Sequence, residues 1–315
     1  MPVNQFLIFF LLLLTGFLCK RFKVFTDAAI NGVNTFIISV AYPCLILVRT
    51  TVLDMDHSIF PNFLLALFAN IGLLLVFGAY ARLYCRGKRF DGIDRPAAEL
   101  SLMSPNNGFM GFPVAITFFG DLGLLYMVAC NIALNSVFFT YGIALMKRGR
   151  GIPGEPLRKK VSKFLLMIAH QKVSAAIAGV ILCYNHIRLP GVFEDFLSGV
   201  GATATPLAMI SIGTMLAGGF GLHTFKKRVI MEIVLNKLFV IPAIAAAVVW
   251  FLPVDPLVKT ILIISNVLPV ATMAPIFCEQ YGRDKKLAGE ALAVATLFSM
   301  ITIPAAIWLI RIRGF

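Results

Sequence analysis

Two stretches of this chain carry the same interruption of an apolar segment, 162 positions apart. Ser104-Pro105-Asn106-Asn107-Gly108-Phe109-Met110-Gly111-Phe112-Pro113 runs on to Gly120, and Asn266-Val267-Leu268-Pro269-Val270-Ala271-Thr272-Met273-Ala274-Pro275 runs on to Gly282. Pro113 pairs with Pro275, and Gly120 with Gly282, at that one offset. A helix broken within a bilayer frees backbone groups, which is tolerated only where protein or a water-filled cavity receives them. Matched interruptions in two halves of a chain are the trace that a secondary transporter's binding site leaves in sequence.

The rest of the composition agrees with a bilayer. Hydrophobic residues make up 59% of the 315 positions and charged ones only 14%, against roughly 25% charged in soluble domains. The apolar residues come in runs of about 17–25, the length that crosses the hydrocarbon core. The net charge of +13 sits in short loops between those runs, so no folded basic face is available and nucleic acid is excluded as a partner. The six cysteines show no metal-binding spacing, the four histidines form no HExxH-like pair, and no GxxxxGK[ST] sequence is present. No cofactor, metal site or ATP-driven step is therefore expected. The first apolar run has its Lys20, Arg21 and Lys23 after it rather than before it, the pattern of a retained helix rather than a cleaved signal.

Ten spans are expected, at about 3–19, 28–48, 62–83, 96–118, 122–146, 164–184, 194–217, 229–251, 257–279 and 287–310. Loops after the odd-numbered spans hold twenty Lys and Arg residues, and the opposite side holds five. The positive-inside rule then puts both termini outside the cytoplasm. The Gly- and Pro-containing segment 147–163 divides the chain into five-span halves, 1–146 and 164–315. An odd number of spans per half inverts the second half relative to the first. Pro43 and Pro206, at an offset of 163, extend the correspondence.

Proline inside a helix removes a backbone donor and displaces the carbonyl four residues back. The half-helix that restarts after such a break presents free N–H groups and a positive dipole end, which suits a carboxylate, whereas freed carbonyls suit a cation. Asn106, Asn107, Gly108, Pro113, Pro269, Thr272 and Pro275 are the candidate binding residues. Lys237, about eight positions into span 8, has three readings: a charge partner for an anion, an ammonium standing in for a coupling cation, or a lysine snorkelling to the interface. Asn70, Asn131, Asn135, Asn236 and Asn266 are weaker polar candidates, with helix packing as the alternative role. Glu99, Glu232, Glu279 and Glu290 fall near the basic loops and are expected to pair with them, Glu99 and Glu279 being the candidates for proton coupling.

At these residues the chain resembles the auxin efflux carrier family, which includes the plant PIN auxin exporters. The likeness rests on Phe36-Ile37-Ile38-Ser39-Val40-Ala41-Tyr42-Pro43, on Asn106 to Pro113, and on Pro269 to Gly282 with Arg283-Asp284. It implies an all-α membrane fold of ten helices in two inverted five-helix repeats, with spans 4 and 9 crossing at their broken centres. It also implies a scaffold of spans 1, 2, 6 and 7, through which two copies form a homodimer. Spans 3–5 and 8–10 would form a transport domain that moves as an elevator. The expected activity is secondary transport, in the export direction, of a small organic anion such as a dicarboxylate or an auxin-like carboxylate, in the plasma (inner) membrane among its lipids. Coupling to Na⁺ or H⁺ stays open. A membrane-embedded receptor using the same pocket is the alternative; an enzyme is not expected. The short segment 147–163 lacks the long hydrophilic loop of the plant proteins.

Overall fold

The computed structural model describes residues 3–53, 58–149, 171–185, 187–219, 224 and 227–312. Most of the predicted 147–163 joint, the first part of the sixth predicted span and all four histidines lie outside them. Among the described residues every regular element is a helix, with no strand. Seven helical runs are long and apolar enough to cross a membrane.

Along the chain, α1 (Val3–Arg21), α2 (Asp27–Phe36) and α3 (Tyr42–Thr51) are followed by α4 (Ile59–Tyr84) and the short α5 (Arg95–Met103). Then come α6 (Phe112–Val137), α7 (Ile143–Lys147), α8 (Gln171–Tyr184), α9 (Gly191–Ala202) and α10 (Ala204–Gly219). The last stretch holds α11 (Arg228–Leu235), α12 (Ile241–Trp250), α13 (Pro256–Val267), α14 (Met273–Gln280) and α15 (Lys285–Ile312).

Several of these helices are one span interrupted by proline chemistry. Pro43, Pro113 and Pro242 each follow a wide, π-type turn, at Ile37–Ala41, Asn107–Gly111 and Asn236–Val240. In each, the N–H just before the proline reaches back five residues, to Ile37, Asn107 and Asn236. The proline ring pushes away the carbonyl four residues behind it, and the widened turn absorbs that displacement. Within α6, Gly120 leaves the helical region at φ 69° and ψ −161°, a conformation open to glycine and costly for a side chain. The continuous run Asn107–Lys147 therefore contains a sharp joint near the boundary predicted between spans 4 and 5.

Two groups of helices pack internally. In one, α1 lies along α10, while α3 lies along α8 and α9. The first of these contacts depends on glycine: a Cβ at Gly16 would stand 1.9 Å from the Ile210 carbonyl oxygen, and one at Gly213 would stand 2.0 Å from that of Leu13. Small residues of this kind let membrane helices approach backbone to backbone. In the other group α4 packs on α5 and α6, α13 on α6 and α12, and α15 on α11 and α14. The groups meet where α3 touches α6 and α10 touches α15 and the Asn107–Gly111 turn. Phe6 stacks on Phe118 with centroids 4.4 Å apart, and Tyr42 meets Phe112 edge-on at 4.9 Å. Large side chains such as Leu7, Phe10, Phe68 and Ile301 stay exposed on the outside, as lipid-facing positions require.

Candidate functional site at the crossing of two broken helices

The chain leaves helical geometry after Met103 and again after Val267, and the two breaks meet. Ser104 is extended, at φ −103° and ψ 109°, and so is Leu268, at φ −62° and ψ 148°. Pro105 and Val270 form a single antiparallel bridge. The Asn106 N–H donates to the Pro269 carbonyl at 2.9 Å, and the Ala271 N–H donates to that of Ser104 at 2.9 Å. The breaks thus satisfy part of each other's backbone, so the Ser104 and Pro269 carbonyls already accept a hydrogen bond instead of standing free for a cation. The sequence predicts both breaks; it carries no sign of the bridge between them.

Asn106 caps the helix that restarts behind it, its Oδ1 accepting from the Phe109 N–H at 3.3 Å. The next side chain, Asn107, accepts at Oδ1 from the Ser265 hydroxyl at 3.0 Å. Asn266 donates to the Leu262 carbonyl at 2.8 Å and to Asn70 Oδ1 at 3.3 Å, and Asn70 in turn donates to the Cys130 carbonyl at 3.0 Å. These bonds tie the breaks to α4, α6 and α13. They leave Nδ2 of Asn106, Nδ2 of Asn107 and Oδ1 of Asn266 buried with no partner among the described residues. Buried polar groups are nearly always hydrogen-bonded, so adjacent orphan donors call for an acceptor that is not part of the chain.

Beside them lies a cavity of about 430 Å³. Asn106, Asn107, Gly108 and Thr272 line it at the break, Asn131 and Asn135 along α6, and Phe109, Phe138, Phe139, Phe277 and Tyr281 further out. Asn135 Nδ2 donates to Asn131 Oδ1 at 3.3 Å. Among the described residues no side chain in this lining carries a charge. A second cavity, of about 330 Å³, touches the same two residues, Asn106 and Thr272, and runs along α2, α10 and α15.

The structure brings together Asn106, Asn107, Gly108, Thr272, Asn131 and Asn135. Pro113, Pro269 and Pro275 line neither cavity; their effect is on backbone geometry. Asn70 and Asn266 line neither cavity and are hydrogen-bonded to each other, Asn266 just before the second break. Asn236 is bonded to the Tyr80 hydroxyl and donates to the Glu232 carbonyl at 2.8 Å, a packing role. Lys237 is 0% exposed, its ammonium nitrogen has no partner, and it lines neither cavity. That burial removes the snorkelling reading. Ser265 was not among the sequence candidates; its signal was a Ser-Asn pair inside the apolar run Leu262-Ile263-Ile264-Ser265-Asn266. Asn31 and Asn34, three apart on α2, likewise surface only in the second cavity.

The carboxylates predicted to pair with the basic loops do so. Glu99 is gripped at both oxygens by Arg148, at 2.5 and 3.0 Å. Lys227 holds Glu290 at 2.6 Å, Arg228 and Arg89 hold Glu232 at 3.0 and 3.3 Å, and Lys285 holds Glu279 at 2.5 Å. Arg283 donates to the carbonyls of Met146 (2.8 Å) and Arg148 and to Asp94 Oδ1 at 3.4 Å, fastening the loop after α14 to the ends of α5 and α7. Glu99 and Glu279, the proton-coupling candidates, line neither cavity.

The helical runs long and apolar enough to cross a membrane are those of a multi-pass membrane protein. The chain belongs to the membrane transport protein family, whose model matches residues 2–307. It is 27% identical to an uncharacterized transporter of Methanocaldococcus jannaschii, over 98% of this chain and 97% of that one. It is 25% identical, over 96% and 94% of the two chains, to a Rhizobium meliloti protein described as a "putative malonate transporter". The uncharacterized transporter YfdV of Escherichia coli is 23% identical over 98% of both chains. The family and these relatives are transporters rather than enzymes.

Proposed function

We propose that this chain is a secondary carrier for a small organic anion, whose carboxylate is received at the crossing by the side-chain amides of Asn106 and Asn107. The observation that carries the reading is the pair of buried Nδ2 donors without acceptors at the edge of an uncharged cavity. A carboxylate is an acceptor-only group, and the half-helix beginning at Asn107 adds its N-terminal dipole. The aromatic side chains further out suit an apolar body behind that carboxylate, and Asn131 and Asn135 offer amides to a second polar group. Malonate, named for the Rhizobium meliloti relative, and aryl-substituted acids are the two probes to compare.

In this reading the ten predicted spans form two inverted repeats. The breaks at Ser104–Asn106 and Leu268–Thr272 interrupt spans 4 and 9, and the Gly120 joint separates spans 4 and 5. Spans 1, 2, 6 and 7 are the scaffold, which meets a second copy in a homodimer, and spans 3–5 and 8–10 move past it as an elevator. The separate packing of these two helix groups supports that division. The basic loops face the cytoplasm, the protein sits in the plasma (inner) membrane with both termini outside, and the anion is exported. Lys237, remote from both cavities, is read as an ammonium in the moving unit in place of a coupling cation.

The test is thermal unfolding of the purified protein with malonate, indole-3-acetate and their neutral amides. A ligand at 100 times its Kd adds about 2.7 kcal/mol. An acid that stabilises wild type but not Asn107→Ala supports the reading; stabilisation by the neutral amides alone overturns it.

A further inference from the structure

The second cavity differs from the first in carrying a charged rim. Lys20, from the last turn of α1, holds Asp27, the first residue of α2, at 2.5 Å. The two partners are not placed alike: the Lys20 side chain is 20% exposed and that of Asp27 is 91% exposed. Both line the cavity, Lys20 as the more buried partner and Asp27 largely in solvent. From this rim the cavity runs past Asn31 and Asn34, between α10 at Thr214 and α15 at Thr296, and ends on Asn106 and Thr272. Lys20 and Asp27 are its only charged lining residues among the described ones.

The polar groups along the way are already oriented. Thr214 donates its hydroxyl proton to the Ser211 carbonyl at 2.7 Å, and Thr296 donates to that of Leu292 at 2.7 Å. Asn34 accepts at Oδ1 from the Ser211 hydroxyl, which leaves its NH₂ as the group it has to offer a ligand. At the inner end stands Asn106, whose Nδ2 is buried and unpartnered. The threonine hydroxyls, their protons already donated, present lone pairs to the cavity, and the N–H donors that remain are those of Lys20, Asn34 and Asn106. A dehydrating anion needs such a series.

We propose that this cavity is an entry vestibule for the anion, in which Lys20 takes the carboxylate at the rim by exchanging Asp27 for it and passes it by way of Asn34 to Asn106. The proposal rests on the organic-anion reading of the crossing and adds a route and a selecting residue to it. The exchange is easy because Asp27, being exposed, keeps its hydration when released, and an ion pair with one partner in water is weak. Glutamine in place of the lysine is one atom shorter and keeps two N–H donors, but loses the charge.

The experiment uses the full chain in vesicles, with the six native cysteines changed to alanine and one cysteine placed at Thr214 or Ala293. Water-soluble methanethiosulfonates of opposite charge, one a sulfonate and one a quaternary ammonium, report whether the cavity is open and which sign it prefers. Both cysteines are expected to react, with the sulfonate favoured. Lys20→Gln should lower the sulfonate-to-ammonium rate ratio about tenfold and Asp27→Asn should raise it, as a focused single charge does in a cleft. Failure of both cysteines to react, or a ratio indifferent to both substitutions, overturns the vestibule. Should the cysteine-free protein not fold, the native-cysteine chain gives a second readout. There Lys20→Gln should raise the KM for malonate uptake several-fold with kcat kept, and an unchanged KM overturns the proposal. The two readings fail separately: if Asn107→Ala keeps full flux while the charge-selective labelling holds, the crossing site falls and the vestibule stands.

Discussion

At the basic-loop end of the bundle, Glu99 and Glu290 are 2% and 4% exposed, and each meets a cation within 2.6 Å. At the crossing Asn106, Asn107 and Asn266 are as deeply buried, as is Lys237 away from both cavities, and each keeps a polar atom with no partner among the described residues. The two regions belong to one packed unit of α4–α7 and α11–α15, so burial is not what distinguishes them. Satisfaction is. Groups whose partners lie within the chain hold the fold together, whereas groups left open at similar burial raise the energy of the empty protein and have their use when something else binds.

Four substitutions probe that contrast. Glu99→Ala should have the largest effect, because it strands the Arg148 guanidinium and unties the end of α5; a loss of about 3 kcal/mol is expected in thermal or denaturant unfolding. A loss below about 1 kcal/mol would mean that the ionic end is not what fastens these helices. Asn107→Ala should cost about 1 kcal/mol in the empty protein, where only the Ser265 bond is lost. Acid binding should weaken by about 2 kcal/mol, because a charge-assisted hydrogen bond disappears. Lys237→Met removes a buried ammonium that has no counter-charge, and replacement of such groups by apolar ones is commonly stabilising, so a gain of about 1 kcal/mol is expected together with reduced flux. A loss of stability would place Lys237 with the satisfied residues. Arg89→Ala, at a half-exposed end of the Glu232 cluster, should change stability by less than about 0.5 kcal/mol, measured in the same unfolding assay.

The parts of this arrangement that the sequence announces are those imposed by backbone chemistry. Gly120 and Gly282, 162 apart, both adopt positive φ, at 69° and 65°, and the apolar segments break at the predicted Pro and Asn clusters. Pro43 and Pro206 likewise fall at interruptions, one after the Ile37–Ala41 turn and one just beyond the gap at Thr203 between α9 and α10. Proline and glycine act on their own neighbours, so their consequences are visible locally. What stayed hidden depends on which helices become neighbours. Ser265 as the partner of Asn107, the bridge between Pro105 and Val270, and the cavity that unites Lys20, Asn34 and Thr296 all join residues more than 150 positions apart or on separate helices. A lone serine or asparagine in an apolar run has the same appearance whether it packs two helices or faces a ligand. Asn236 and Asn107 show this: both were candidates, and only Asn107 reaches a cavity.

The most direct measurement is uptake of radiolabelled malonate and indole-3-acetate into vesicles reconstituted with wild type and with Asn107→Ala, each variant first shown to be folded by its unfolding transition. Saturable uptake of at least one acid by wild type, reduced tenfold or more by Asn107→Ala while the variant stays folded, is the expected result. Acid binding without any flux would instead describe a receptor, and full flux through Asn107→Ala would remove the crossing as the site where the anion is held.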